Sequence, residues 1–274
     1  MATISKTAHF EGVGLHTGEH VQLNIHPAQV GHGVVFVRTD IESQPKIPAS
    51  IDYIDYRQRR TALMNNGVEI QTPEHFLAAC YGLGIENLLV EISGAELPGA
   101  DGSALPFCKA LLGAGIEEQS GSKTVKVSSE LQADRDKAYI KVTPSEKFEI
   151  KYTLDHDLDF FPKQVFSLVV TKDSFLKEIA PARTFVLKKE VEALQKFGLG
   201  KGATVKNTLV IDDNGSIIDN ELRFPDEFTR HKILDIIGDF FLLGARLQGK
   251  LEAHRSGHNL NAMLVEKIRG AEHK

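Results

Sequence analysis

The segment DEFTRHKILDIIGDFFLLGARL, residues 226–247, has the apolar content of a helix that is packed into a protein core. It nevertheless carries three polar residues, His231, Asp235 and Asp239, each four positions from the next. Because an α-helix has about 3.6 residues per turn, these side chains project from nearly the same side of the helix. The segment therefore predicts a largely buried helix with one polar stripe, and the stripe calls for a functional explanation.

A second segment repeats this pattern earlier in the chain. EHFLAACYGLG (74–84) and RHKILDIIGDF (230–240) each place a histidine seven residues before a glycine on an apolar helix. Each predicted helix is followed by a strand and then by a short glycine-containing turn into another helix, DGSALPF in the first half and SGHNLNAML in the second. The parallel order predicts a duplicated α+β unit. Two such units facing each other bring His75 and His231 to one interface, where binding sites are common.

The pattern also predicts strands, a helix start and a domain boundary. VQLNIHP (21–27) and FEIKYTLD (148–155) alternate apolar and polar residues, as half-buried strands do. Thr72 is expected to cap the first helix, with Pro73 in its first turn. The hydrophilic stretch EEQSGSKT (117–124) has no periodicity. It is expected to separate a first domain, residues 1–120, from a second domain, residues 121–274.

Composition narrows the class of protein. The 274 residues are 42% hydrophobic and 25% charged, with a net charge of −5 and no basic block, so nucleic acid is not an expected partner. Cys80 and Cys108 form no CxxC pair and suit a reducing compartment. The N-terminal residues lack an apolar signal core, and no run approaches the roughly 18 apolar residues of a membrane span. A cytoplasmic protein without a membrane span is therefore expected.

The polar stripe has the residue types of a metal site. His231 and Asp235 offer a nitrogen and an oxygen ligand one helical turn apart, which suits Zn²⁺. His75 is the natural third ligand, and Glu74 comes with it as a carboxylate able to take a proton from an attacking water. Asp239 lies one turn further along and is better placed to orient another group, such as a histidine.

The residues alone leave other interpretations open. A His-x-x-x-Asp pair is common on helices, a Glu-His dipeptide near a helix start is often a solvated first turn, and the HExxH signature is absent. His258 lies in a turn before a helix, where capping also explains it. The clusters GVGLHTG (12–18) and GLGKG (198–202) match neither a dinucleotide fingerprint nor a P-loop, and no GxSxG elbow is present. A nucleotide triphosphatase and a serine hydrolase are therefore disfavoured.

Several motifs together resemble one family over essentially the whole chain. RHKxLDxIGD followed downstream by SGHxLN is a highly specific combination. The segments run in the order seen in UDP-3-O-acyl-N-acetylglucosamine deacetylases, the zinc amidases that commit cells to lipid A synthesis. They are FEGVGLHTGEHV (10–21), TPEHFLAACYGLGIENLLVEI (72–92), ELPGADGSALPF (96–107), ARTFV (182–186), ELRFPDEFTRHKILDIIGD (221–239) and SGHNLNAML (256–264).

The resemblance implies a catalytic role for particular residues. His75, His231 and Asp235 match the zinc ligands of the family, and Fe²⁺ is an alternative occupant of such a set. Glu74 matches the general base and His258 the general acid. The remaining catalytic candidates are Asp239, which supports the charge of the histidine, and Thr184, whose hydroxyl helps to hold the oxyanion.

The resemblance also implies substrate contacts. Lys232 matches a lysine near the sugar or phosphates, and Arg255 stands where other members carry a lysine directed at the diphosphate. Lys137, Phe185 and His16 are further candidate contacts. His156 stands where the family usually has an aromatic ring suited to stacking on uracil, with Phe160 and Phe161 as alternatives.

The family fold consists of two similar domains, each a two-layer α/β sandwich of the α+β class, with the active site between them. Each domain carries an insert, the first near residues 56–67 and the second including residues 184–207. In the family the second insert forms a hydrophobic passage for the acyl chain. Leu194 and Phe197 are expected to line it together with Val186, Leu199 and Ala203, unless these side chains only form the small core of the insert.

The expected activity is zinc-dependent hydrolysis of the N-acetyl group of UDP-3-O-[(3R)-3-hydroxyacyl]-N-acetylglucosamine, which gives acetate and a free amine. One alternative is a metal amidase that acts on another acylated sugar, because the zinc chemistry does not define the substrate. Another is an inactive binding homologue, against which the intact Glu74 and His258 count. A monomer is expected, with the UDP-sugar acyl substrate as its partner.

Overall fold

Two mixed sheets, one in each half of the chain, organise the fold. The computed structural model describes residues 1–158 and 160–272, so His273 and Lys274, at the end of the predicted second domain, lie outside the described residues. In chain order the first half contains β1 (Ala2–Ile4), β2 (Ala8–Val13), β3 (His20–Pro27), β4 (Val34–Arg38), β5 (Lys46–Pro48), a 3₁₀ turn (Ile51–Tyr53), β6 (Ala62–Asn65), β7 (Val68–Gln71), α1 (Glu74–Leu83), β8 (Leu88–Ile92), α2 (Leu105–Gly113) and β9 (Ile116–Glu118).

The second half repeats this order of elements. It contains β10 (Thr124–Lys126), β11 (Leu131–Arg135), β12 (Ala138–Thr143), β13 (Phe148–Leu154), β14 (Gln164–Val169), α3 (Lys172–Ser174), a π-helical turn (Phe175–Ile179), β15 (Phe185–Leu187), α4 (Lys188–Lys196), β16 (Leu209–Ile211), α5 (Glu227–Phe241), β17 (Arg246–His254) and α6 (His258–Glu272).

The two main sheets have the same topology. The first has the order β2-β3-β8-β4-β5 and the second β11-β12-β17-β13-β14. In each sheet the only parallel pair along this order joins its third strand in sequence to its last, β4 to β8 and β13 to β17, and the other pairs are antiparallel. The shared strand order and directions confirm the predicted duplicated unit and its α+β class.

Four helices, α1, α2, α5 and α6, lie between the two sheets. In the first half Phe76 of α1 packs on Phe36 of β4, and Phe107 of α2 packs on Phe10 of β2. In the second half α5 packs on β13 and β14, and α6 on β11 and β12. Helices α1 and α5 also contact each other, and every residue of α1 is buried. The two predicted histidine-bearing helices therefore meet at the contact between the halves.

The predicted cap of α1 is wrong. The N-cap position is Pro73, and no side chain caps the helix. Thr72 has a positive φ of 55°, and its hydroxyl donates to Glu96 Oε1 at 3.1 Å. A partner 24 residues away in sequence has drawn the hydroxyl from the helix end, which local capping rules do not anticipate.

Strand pairing changes across the stretch that was predicted to be a boundary. β9 pairs with β1 of the first half, whereas β10 pairs with β17 of the second half. We infer a domain boundary between these strands, close to residue 120.

Among the described residues, no helix combines the length and the apolar character needed to cross a membrane.

Each half also carries a small substructure beside its main sheet. In the first half it is the β6–β7 hairpin, and in the second half β15 and β16 pair in parallel around α4. We refer to residues 55–71 as the first insert and to residues 184–211 as the second insert. Both lie next to the cavity described below.

Candidate active site

Three possible metal ligands meet where α1 and α5 cross. His75 comes from α1, and His231 and Asp235 come from α5 one turn apart. One ligand atom from each of these three buried residues lies within 4.8 Å of the others. Asp235 Oδ1 is 3.3 Å from Nε2 of His231 and 3.8 Å from Nε2 of His75. The structure thus brings together the three residues expected to bind a metal.

The histidines are in the state that binds metals. Nδ1 of His231 donates to the carbonyl oxygen of Ala182 at 3.0 Å, so Nε2 carries the lone pair on the side of Asp235. Burial, together with the neighbouring His231, lowers the pKa of His75 to about 3, and burial also lowers the pKa of His231. Two neutral imidazoles and a carboxylate are a donor set that fits a divalent transition metal.

Lys232 orients the carboxylate of this set. Its Nζ donates to Oδ2 of Asp235 at 2.7 Å, which leaves Oδ1 facing the two histidines. Burial alone would raise the pKa of Asp235, but Lys232 and the neighbouring histidines outweigh it and hold that pKa well below its ordinary value. The carboxylate is therefore available as an anionic ligand.

A second cluster lies around His258, the first residue of α6. Its Nδ1 donates to Oδ2 of Asp239 at 3.0 Å. Asp239 also accepts from the Thr61 hydroxyl at 2.5 Å and from Nδ2 of Asn261 at 2.8 Å. Burial works to lower the pKa of His258, but Asp239, Asp235 and Glu74 outweigh it and raise that pKa to about 9. His258 is thereby suited to hold a proton on Nε2.

Glu74 connects the two clusters. Its Oε1 is 3.8 Å from Nε2 of His258, and its Oε2 accepts from the backbone N–H of Thr61 at 3.3 Å. Burial raises the pKa of Glu74 to about 8, with His258 acting in the opposite direction. A buried carboxylate beside an imidazole and next to a metal ligand is typical of a general base.

A cavity of about 620 Å³ opens over these clusters. Both halves and both inserts line it, and its polar end contains the predicted site residues His16, Glu74, His75, Thr184, His231, Lys232, Asp235 and His258. Phe185 and Leu194 also line it. The apolar wall comes from the second insert and includes Val186, Val191, Leu194, Leu199, Ala203, Val205 and Val210.

Several of the proposed substrate contacts are not part of the cavity lining. Lys137 and Arg255 do not line the cavity, and both pair with Asp157, at 3.3 and 2.5 Å respectively. Phe197 follows the last residue of α4, and its relative exposure is 82%. His156 packs edge-on against Phe161 and Phe185, at ring-centroid distances of 4.9 and 6.3 Å.

Sequence reasoning missed two residues of the site. Thr61 binds both Asp239 and Glu74, but it lies in an insert and no pattern marks it. Asn261 is three residues after His258, one helical turn away, so its spacing was a usable signal.

Comparisons with known proteins point to one family. The family model for UDP-3-O-acyl N-acetylglycosamine deacetylase (LpxC) matches residues 1–270. A UDP-3-O-acyl-N-acetylglucosamine deacetylase of Myxococcus xanthus is 42% identical over 268 residues, which are 97% of this chain and 85% of that protein. Proteins of the same name from Marinobacter nauticus and Coxiella burnetii are each 38% identical, covering 98% and 97% of this chain and 90% and 89% of theirs. The chain belongs to the UDP-3-O-acyl N-acetylglycosamine deacetylase family.

Proposed function

We propose that the protein is a zinc-dependent deacetylase that removes the N-acetyl group of UDP-3-O-[(3R)-3-hydroxyacyl]-N-acetylglucosamine, a step of lipid A biosynthesis. The observation that carries the proposal is the meeting of His75, His231 and Asp235 with Glu74 and His258 at the polar end of one cavity. Membership of the deacetylase family supports the substrate.

His75, His231 and Asp235 would hold the metal. Zinc is the occupant that we favour, because a two-histidine, one-carboxylate set is common in zinc hydrolases, and Fe²⁺ is the alternative. When bound, the metal would supply Lewis acidity toward water and toward the amide carbonyl. Lys232 keeps the carboxylate turned toward the histidines through its bond to Asp235 Oδ2.

Glu74 and His258 would move the protons. The oxygen of a water molecule bonds to the acetyl carbon while Glu74 takes the proton that this water gives up. His258 then donates a proton to the nitrogen as the carbon–nitrogen bond breaks, leaving acetate and a free amine. Asp239 supports His258 by accepting from its Nδ1 at 3.0 Å. Thr184, which lines the cavity, would donate to the developing oxyanion.

The rest of the cavity suits the two ends of the proposed substrate. The apolar wall of the second insert would take the acyl chain, with Leu194 among its contacts. Lys232, Phe185 and His16 line the polar end and would contact the sugar or its phosphates. Lys137, Arg255 and Phe197 lie outside the cavity lining, so in this proposal they contact only parts of the substrate that extend beyond it.

A monomer is the proposed active form, because one chain supplies every residue of both clusters. The cytoplasm is the proposed location. Cys80 and Cys108 are buried and free, which suits a reducing compartment.

Acetate release tests the proposal. Purified protein is stripped with a chelator, reloaded with zinc and given UDP-3-O-acyl-N-acetylglucosamine or UDP-N-acetylglucosamine. We expect rapid, metal-dependent release from the acylated substrate and slow release from the other. Equal release from both would indicate a broader amidase. No release from either by the zinc-loaded protein would contradict the proposal.

A further inference from the structure

Glu96 follows β8 and is 2% exposed, yet it belongs to neither cluster described above. Its Oε1 accepts from the backbone N–H of His16 at 2.8 Å and from the Thr72 hydroxyl at 3.1 Å. Its Oε2 accepts from the backbone N–H and the hydroxyl of Thr17, both at 2.7 Å. Among residues 1–158 and 160–272, no cationic side chain is paired with it within 4 Å. The buried carboxylate is therefore held by neutral donors from two separate segments.

The first of these segments is the loop that carries His16 into the cavity. An ideal Cβ on Gly14 would lie 2.5 Å from Oε2 of Glu96, so the carboxylate reaches its donors only because residue 14 has no side chain. The same loop is also hydrogen-bonded to the second insert. The backbone N–H groups of Lys201 and Gly202 donate to the carbonyls of His16 and Leu15, at 3.2 and 3.1 Å. Glu96 therefore anchors the loop backbone that carries His16 and to which the second insert is bonded.

The second segment is the entry to α1. Thr72 adopts a left-handed φ of 55°, which is unfavourable for a β-branched residue. Its backbone N–H donates to the Thr61 carbonyl at 2.9 Å, and its hydroxyl is held by Glu96. Glu74 and His75 follow immediately on α1. The contact to Glu96 thus helps to maintain the strained turn that aims the proposed base and a proposed metal ligand.

We infer that Glu96 is a positioning residue. It holds the loop of residues 14–18, to which the second insert is bonded, and the entry to α1 in one arrangement. The inference rests on the proposed deacetylase function. It assigns Glu96 no contact with substrate or metal, and its effect passes through the two threonines and the loop.

The test replaces Glu96 by glutamine. This side chain has nearly the same size, but its N–H₂ group replaces one oxygen that accepts hydrogen bonds and therefore faces other donors. Glu91→Gln, at a partly buried carboxylate that contacts His26 and Asn24 in the same half, is the matched control. Two further variants divide the role. Thr17→Val removes only a loop contact and is expected to raise KM several-fold, whereas Thr72→Val removes only the α1 contact and is expected to lower kcat several-fold. Glu96→Gln is expected to change both constants, by about tenfold or more in kcat/KM.

Hydrogen–deuterium exchange gives a readout that does not depend on turnover. We expect faster amide exchange in residues 14–18 and 198–204 of the Glu96→Gln variant, and exchange like that of the parent protein in the Glu91→Gln control. A Glu96→Gln variant with parental exchange there, or with a lowered melting temperature but parental kcat and KM, would overturn the inference. If the parent protein releases no acetate, the proposed function fails, while the exchange data still decide whether Glu96 holds these segments.

Discussion

Gly238 of α5 lies directly against the backbone carbonyl of Glu74 in α1. An ideal Cβ at position 238 would be 2.1 Å from that oxygen, closer than any real contact allows. The equivalent glycine of the first half, Gly82, lies in the same way against the ring of Phe175, where a Cβ would be 2.1 Å from Cδ1. The two glycines that relate the repeated helices are thus positions of close approach, and Gly238 allows His75 and His231 to meet.

The first prediction is that Gly238→Ala separates α1 from α5. The added methyl group has to displace backbone, so we expect a loss of stability of about 1–3 kcal/mol and weaker metal binding. Gly270→Ala in α6 is the control, since within the described part of the chain no atom outside its own helix backbone and chain neighbours lies within 4 Å of an ideal Cβ there, and alanine favours a helix. Denaturant unfolding and metal titration measure both effects. Parental metal affinity in Gly238→Ala would contradict the proposed dependence on close helix packing.

The second prediction concerns the metal ligands. His231→Ala removes one of three protein ligands and should abolish stoichiometric zinc after dialysis. His9→Ala is the control, because His9 lies on the exposed face of β2. Metal analysis of the dialysed proteins measures the result. A His231→Ala protein that retained a full equivalent of zinc would show that the ligand assignment is wrong.

The third prediction separates proton transfer from metal binding. Glu74→Ala and His258→Ala should fold and retain zinc, and each should lose on the order of 10²–10⁴-fold in kcat. Neither residue is among the three proposed ligands, so metal analysis and kinetics together make the distinction. Unchanged turnover in His258→Ala would show that His258 is only the first residue of α6 and has no role in proton transfer.

The fourth prediction gives the direction of a pH shift. His258 donates only while protonated, so activity should fall as pH rises through its pKa, which its carboxylate neighbours raise. Asp239→Asn removes the closest of these charges and should move the alkaline limb of the kcat profile to lower pH. The acid limb should remain with Glu74, which must lose its proton to act as a base. An alkaline limb at the parental position in Asp239→Asn would exclude His258 as the group that titrates there.

The fifth prediction concerns the apolar wall. Each buried methylene of an acyl chain is worth about 0.8 kcal/mol, so a charge in the wall should weaken binding strongly. Leu194→Asp should reduce kcat/KM for the acylated substrate by at least about tenfold and barely affect UDP-N-acetylglucosamine. Phe197→Asp should have a smaller effect, because Phe197 is 82% exposed and lies outside the cavity lining. Equal losses on both substrates would mean that Leu194 only stabilises the second insert.

Local periodicity predicted several elements and the polar residues that share one side of α5. VQLNIHP lies within β3, and FEIKYTLD forms β13 except for its last residue, Asp155. The spacing of His231, Asp235 and Asp239 predicted their shared helix side, because helical geometry depends only on neighbouring residues. The repeated helix and strand order likewise predicted the duplication seen in both sheets.

Tertiary packing decided which distant groups meet. Thr61 and Asp239 are 178 residues apart, and their hydrogen bond exists only because the first insert folds over the end of α5. Thr72 gives its hydroxyl to Glu96 instead of capping α1, and Phe197 is 82% exposed and does not line the cavity that Leu194 lines. Such partners are chosen by the burial of whole elements, and a buried polar group takes whichever complementary group the packing brings within reach. A short stretch of sequence determines the face on which a side chain lies, but not what lies opposite it.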